Sequence, residues 1–298
     1  MNISKYKAFL TVAEMGSISK AAKVLKYSQP GISHMISSLE EEFGFPILKR
    51  INKNYVLTEN GKQIVGYCQQ IVKNEENLIN TVSSINGLLT GSISIASYSS
   101  MIQSFVPNTV SEFIKIFPNV KISIYEGDYN VMDLGLKNNM FDIAFTSDKV
   151  PNGFTFIPLF KDPLGLLIHK DHPFNKYEKI PSNILNGCNF ILHTTGAWNL
   201  MDSLINHECF DPASVISTNS DCAIVQMVSH NVGVSIMSSF HKNLFSDDVV
   251  FKRFEYPHSR ILGIGIRSMD YASPAVKEFI YFAQEKAKSH EYYYKNDI

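Results

Sequence analysis

Apolar residues recur at three- and four-residue steps through the first 43 positions, broken in two places. Tyr6, Phe9, Leu10 and Ala13 predict a helix over residues 3–15 with one buried stripe, ended by Gly16. Ser17 or Ser19 can cap a second helix that buries Ile18, Ala21, Ala22 and Leu25, its small alanines allowing another helix to come close. Ser28, Gln29 and Pro30 open a third: a hydroxyl cap, then a first-turn proline, then a buried stripe of Ile32, Ile36, Leu39 and Phe43. Its other face carries Gln29, Ser33, His34 and Ser37.

That outer face is chemically selective. A solvated helix surface usually carries long charged side chains, whereas these short or amide-bearing groups suit base edges in a major groove, and a helix N-terminus favours a phosphate. An ordinary polar face is the competing reading. The next stretch, "ILKRINKNYVLTENG", sets Lys49, Arg50 and Lys53 around the turn-prone Asn52 and Asn54, followed by strand-like Tyr55, Val56 and Leu57. A basic hairpin behind two such helices reads as a wing placed to touch phosphates or the minor groove, and the whole as a winged helix-turn-helix over residues 1–58.

Beyond residue 58 the period changes. Ile64, Cys68, Ile71, Glu75, Leu78, Val82, Ile85 and Leu89 follow alternating steps of four and three, a heptad seam with one acidic interruption. A helix of about 30 residues spans about 45 Å, and alone it leaves that seam exposed, so residues 59–89 read as a dimerisation helix, the alternative being that it packs only on its own domain. From residue 90 the pattern alternates between strand and helix. "SISIAS", "VKISIYEG" and "FDIAFTS" are strand candidates around helices at 105–117 and 129–139. A second set follows Asp162: "LGLLIHK", "NFILH", a helix from about 197, "VISTNS", a helix at 221–230 and "VGVSIMS"; "ILGIGIRS" and a helix at 273–288 close the chain. The alternation predicts parallel sheets in two α/β lobes, one of residues 90–161 and 266–298, the other of 162–265.

Composition narrows the chemistry. Residues 1–62 carry nine Lys/Arg against five acids, while the whole chain of 298 residues is at −1, so a basic head precedes an acidic body. The four cysteines show no metal-ligand spacing, and His169 and His172 in "HKDHPF" look like a turn; no metal or cofactor is expected. GxSxG, Walker and GxGxxG motifs are missing, so no catalytic residues are assigned and an enzyme is not expected. The first residues lack a signal-peptide core, and no stretch reaches the roughly 18 apolar residues of a membrane span, so a cytoplasmic protein without membrane contact is expected.

The segment from Phe9 to Ile64 resembles the DNA-binding head of LysR-type transcriptional regulators. Gly16-Ser17 before Ala21-Ala22, then Ser28-Gln29-Pro30, Leu39-Glu40, Gly44, Arg50 and Leu57-Thr58 with Gly61 carry the likeness. Ile47-Leu48 stand where the family usually has Leu-Phe, and Lys53 where arginine is frequent. "TGSISIAS", "FIKIFPNVKISIYEG" and "FDIAF" extend the resemblance into the body, and "NVGVSIMSS" places Ser238 where proline is usual. The resemblance implies a homodimer or homotetramer on an inverted-repeat operator in double-stranded DNA, with RNA polymerase as a further partner. Ser28, Gln29, Pro30, Ser33, His34 and Ser37 would meet the bases or the helix-start phosphate, with Lys49, Arg50 and Lys53 on phosphate.

It also implies an effector-binding body built like a periplasmic solute-binding protein, with a small-molecule effector held between its lobes at strand ends and helix N-termini. The residues there are Tyr98, Ser99, Ser100, Met101, Thr146, Thr194, Thr195, Asn219 and Asp221. Their hydroxyls suit a carboxylate or other small anion, although serine and threonine also simply cap helices. Trp198, the only tryptophan, either walls this cleft or anchors a helix. The alternative is a cytoplasmic small-molecule binding protein whose head contacts protein rather than DNA.

Overall fold

A computed structural model describes residues 2–85, 89–194 and 213–295. The chain divides into two compact units, Met1–Leu88 and Leu89–Ile298.

In the first unit, helices α1 (Ile3–Met15), α2 (Ile18–Leu25) and α3 (Gln29–Phe43) precede the hairpin β1 (Leu48–Ile51) and β2 (Asn54–Leu57) and the long helix α4 (Glu59–Ile85). Each of the first three boundaries has a local cause. The Asn2 side chain caps α1, and Gly16 ends it in the left-handed region at φ 64°. Of the two candidate serines it is Ser17 that caps α2, accepting from the Lys20 N–H at 3.3 Å. Ser28 caps α3, accepting from the Gly31 N–H at 3.2 Å, with Pro30 in the first turn where no amide hydrogen is needed. Phe9, Ile32, Leu39 and Ile47 are fully buried where the helices meet.

Several residues of the sequence motif are structural. The Glu40 carboxylate accepts from the Ile47 and Leu48 N–H groups at 2.8 and 3.2 Å, fastening the C-terminal half of α3 to the wing's entry. Thr58 accepts from the Gly61 N–H at 3.0 Å and donates to the Pro46 carbonyl at 2.9 Å. Gly61 is required by proximity: a Cβ there would lie 2.2 Å from the Ile47 carbonyl oxygen.

The heptad seam of α4 divides in two. Ile64 and Cys68 pack into the head's own core, and Glu75, the acidic interruption, pairs with Lys7 of α1. Leu78, Val82 and Ile85 are 65%, 52% and 79% exposed. Ile71, between the two groups, is 40% exposed, so the seam's first turns close the head while its outer positions, most of all in the later turns, are left open.

The second unit is built on a six-stranded sheet in the order β4-β3-β5-β10-β6-β9. The strands are β3 (Gly91–Ser97), β4 (Val120–Glu126), β5 (Ile143–Ser147), β6 (Thr155–His169), β9 (Ser235–Ser238) and β10 (Val249–Ile266). A two-stranded parallel pair, β7 (Asn189–His193) and β8 (Ser214–Thr218), lies apart from it. Parallel pairing, as expected, joins β3 to β4 and β5 and β7 to β8, and antiparallel strands complete a mixed main sheet. β10 runs antiparallel to both β5 and β6, and β6 antiparallel to β9.

The reason is that β6 and β10 are long strands passing from one lobe to the other, in opposite directions. Their first-lobe halves pair Gly263–Ile266 with 155–158, and their second-lobe halves pair Val249–Arg253 with Gly165–His169. Register shifts interrupt the ladder between Arg253 and His258 and again between Leu262 and Gly263.

Helices α5 (Ser99–Ser104), α6 (Val106–Ile116), α7 (Tyr129–Lys137) and α9 (Pro274–Ala287) belong to the first lobe, and α8 (Asp221–Ser229) to the second. The first lobe's core joins Phe105, Phe113, Phe145, Phe160 and Phe279, many of them edge-to-face. Phe190, Phe254 and Ile180 anchor the second lobe's core. The helix expected from about 197, together with Thr195 and Trp198, lies outside the described residues.

Candidate nucleic-acid interface and ligand cleft

The face of α3 opposite its core stripe is open. Gln29, Ser33, His34 and Ser37 are all exposed, as are Ser28 and Pro30 at its start. Ile32, Ile36 and Leu39 on the inner side hold the helix in place. Among the described residues, the side-chain hydrogen bond on this face is the Ser28 cap. Tyr27, 46% exposed immediately before the cap, is an aromatic that periodicity did not single out. It follows Lys26, whose left-handed backbone at φ 58° makes the turn.

The wing is aimed by its turn. Asn52 and Lys53 both have positive φ, 48° and 70°, the two-residue geometry whose twist matches a hairpin. Lys49 and Arg50 on β1 and Lys53 at the tip are exposed. The Tyr55 N–H donates to the Gly16 carbonyl at 2.8 Å, tying the wing to the α1–α2 turn. Basic groups and an uncharged hydrogen-bonding helix face thus belong to one rigid head, the arrangement that divides phosphate contact from base contact.

In the second unit the predicted cleft residues separate into groups. Tyr98 precedes α5, with its N–H on the Phe145 carbonyl at 3.1 Å. Ser99 is half-buried, and its hydroxyl helps stabilise the Asp221 carboxylate at the start of α8. These two residues meet across the lobes. Burial pushes the Asp221 carboxyl up, but the His241 imidazole, with His193 and Ser99 behind it, outweighs this and holds it below the usual carboxylate range. His241 Nε2 lies 3.3 Å from Asp221 Oδ2, although neither ring nitrogen makes an aligned hydrogen bond.

The remaining predicted residues fall elsewhere. Met101 is fully buried in the first lobe's core, so it packs rather than lines an opening. Thr146 pairs with Gly263 on the face shared with Ala144, under α7, and its hydroxyl is buried without a protein partner. Thr194 and Asn219 are exposed at the ends of the β7–β8 pair.

Sequence reasoning missed the most connected group. Arg260 and Asp162 stand opposite each other in the β10–β6 ladder, and Arg260 Nε donates to Asp162 Oδ2 at 2.8 Å. The other carboxylate oxygen accepts from the Ser238 hydroxyl at 2.7 Å, and Arg260 Nη2 donates to the Ser100 hydroxyl at 3.1 Å. Asp162 is completely buried, and the guanidinium lies 5.8 Å from the centre of the Tyr98 ring. Ser238, in place of a usual proline, therefore bonds the carboxylate and caps the turn at 239–244 by accepting from the Phe240 N–H. The available signal was weak: Asp162 follows Lys161 just before the apolar run 164–168, and Arg260 ends a polar stretch just before the apolar run 261–266. Among the described residues no cluster of His, Cys, Asp or Glu could hold a metal, and His172 instead caps the turn at 173–176.

Comparison with known proteins identifies both parts. Residues 3–62 match the family model for bacterial regulatory helix-turn-helix proteins of the lysR family, and residues 86–288 match the LysR substrate binding domain. A curated relative, the uncharacterized HTH-type transcriptional regulator YvbU of Bacillus subtilis, is 27% identical over 291 residues, spanning 96% of this chain and 98% of its own length. A full-length OxyR variant from Pseudomonas aeruginosa has the same fold, with a TM-score of 0.81 at 18% identity, covering 100% of this chain and 99% of that one. The effector binding domain of QuiR in complex with shikimate matches with a TM-score of 0.60 and 27% identity, over 67% of this chain and 99% of its own. The chain is a DNA-binding transcriptional regulator with an effector-binding domain, and it belongs to the LysR family.

Proposed function

We propose that this regulator reads an inverted-repeat operator with Gln29, Pro30, Ser33, His34 and Ser37 of α3, while Ser28 at the helix start and Lys49, Arg50 and Lys53 of the wing hold phosphate. The observation that carries this is the exposed outer face of α3 from Gln29 to Ser37, which bears no lysine, arginine, aspartate or glutamate, starts at a capped N-terminus and is backed by a tethered basic hairpin. Residues 1–58 form the reading head, and the open turns of α4 within 59–89 pair two copies. The dimer presents two reading helices to half-sites about one helical turn, or a multiple of it, apart.

Residues 90–298 hold a small anionic effector between lobes, near Tyr98, Ser99, Ser100 and Asp221. The shikimate carried by QuiR, itself a carboxylate, supports an anionic class. A bound effector biases the angle between lobes, which alters how dimers associate as tetramers and how far the DNA bends. Cytoplasmic location and contact with RNA polymerase complete the reading.

The test separates base from phosphate contacts. Gln29→Ala is expected to weaken operator binding by about 1–3 kcal/mol and leave non-specific binding nearly unchanged. Lys53→Ala is expected to weaken all DNA about equally and to reduce the salt slope by about 1. Equal loss of specific and non-specific affinity in both variants would overturn this division of labour.

A further inference from the structure

We infer that Arg260 is the receptor for a carboxylate on the effector, with Asp162 and Ser238 fixing its orientation; this rests on the effector cleft proposed above. An arginine has five N–H groups in one plane, and among the described residues the bonds to Asp162 and Ser100 engage only Nε and one hydrogen of Nη2. The rest, on the terminal edge of the guanidinium, have the paired geometry that a carboxylate accepts bidentately. In contrast to the completely buried Asp162, the Arg260 side chain as a whole is 34% exposed. It lies beside Tyr98 and Ser100, on either side of the Ser99 that approaches Asp221 from the other lobe.

Asp162 does not consume the arginine's capacity. Both of its oxygens are taken, one by Arg260 Nε and one by Ser238, and it is fully buried behind the strand ladder. Its effect is to hold the guanidinium in one orientation, reducing the side-chain entropy lost when an anion binds. The location also gives the contact leverage. Ser100 belongs to the first lobe and Ser238 to the second, while Arg260 and Asp162 sit where β10 and β6 cross between them. An anion on Arg260 therefore acts on the atoms that join the lobes.

The test uses full-length protein and a panel of small carboxylic acids beginning with shikimate and benzoate, each against its methyl ester, followed by thermal shift and calorimetric titration. At least one acid is expected to raise the melting temperature of the wild type while its ester does not, and Arg260→Gln to lose at least tenfold in affinity for that acid. Because Arg260→Gln leaves Asp162 buried without its cation, the double variant Asp162→Asn/Arg260→Gln is measured beside it, with the same loss expected. Arg260→Lys, which keeps the charge but not the planar fork, is expected to fall between. Binding of ester and acid alike, unchanged affinity in a folded Gln variant, or no acid binding at all would each overturn the assignment. Operator binding by the same preparations reports separately on the regulator reading, since a change confined to Arg260 leaves it intact.

Discussion

Leu78→Asp is the sharpest perturbation of the proposed pairing helix. Leu78 is 65% exposed, followed one and two turns later by Val82 at 52% and Ile85 at 79%. Fully burying an exposed leucine contributes about 1.5–3 kcal/mol, so covering the open two-thirds contributes about 1–2 kcal/mol per chain and about 2–4 kcal/mol per dimer. Losing even 2 kcal/mol weakens the dimer about 30-fold, and placing two carboxylates in an apolar seam weakens it further. The head's own stability should hardly change, because its core uses Ile64 and Cys68 two turns and more upstream. Asn80→Asp is the matched control, about 200° around the helix from Leu78. Sedimentation equilibrium of full-length protein, with melting curves alongside, reads both quantities. A Leu78→Asp dimer within threefold of the wild-type dissociation constant would refute the pairing of these turns.

Three further substitutions test separate links. Ser28→Ala removes the hydroxyl that accepts from the Gly31 N–H and should cost about 1 kcal/mol of head stability, read by chemical denaturation; no change would mean the cap contributes nothing. Gly61→Ala places a Cβ 2.2 Å from the Ile47 carbonyl oxygen and should destabilise the head by about 1–3 kcal/mol, so an unchanged melting temperature would show that α4 can shift freely. The Asp221 carboxyl titrates below its unfolded value, so its contribution is present above the ordinary aspartate range near 3.9 and disappears as pH falls through the lower folded value. Asp221→Asn should therefore flatten the acid limb of the melting-temperature profile below about pH 4; an identical limb in the variant would remove Asp221 as its source.

The head was legible because its signals are local. Gly16, Ser28 and Pro30 act within one turn of themselves, and the stripe Ile32, Ile36 and Leu39 needs only helical spacing to declare its buried side. The seam of α4 was legible as a period but not as a division of labour. Whether Ile64 faces the head and Leu78 faces outward depends on where α1 ends up, which spacing does not encode. In the body, strand positions were readable from alternation, but strand direction was not. β6 and β10 pair across about a hundred residues of sequence, so their antiparallel partnership, and the mixed sheet that follows, is decided by tertiary closure. The same distance hid the Arg260–Asp162 pair, because each charge stands at the polar edge of an apolar run and its partner is about a hundred residues away. Met101 shows the opposite error: proximity in sequence to Ser99 and Ser100 suggested the cleft, while its side chain fills the core beside Phe105.

The central claim is that this head reads sequence, and it is tested most directly by selecting bound fragments from sheared genomic DNA of the source organism with purified full-length protein. The recovered fragments are then titrated against scrambled DNA of equal length at several salt concentrations. The account predicts fragments sharing an inverted repeat with half-sites about one helical turn, or a multiple of it, apart, and a large specificity ratio that persists as salt rises. Fragments without a common motif, bound no better than scrambled DNA at every salt concentration, would contradict it.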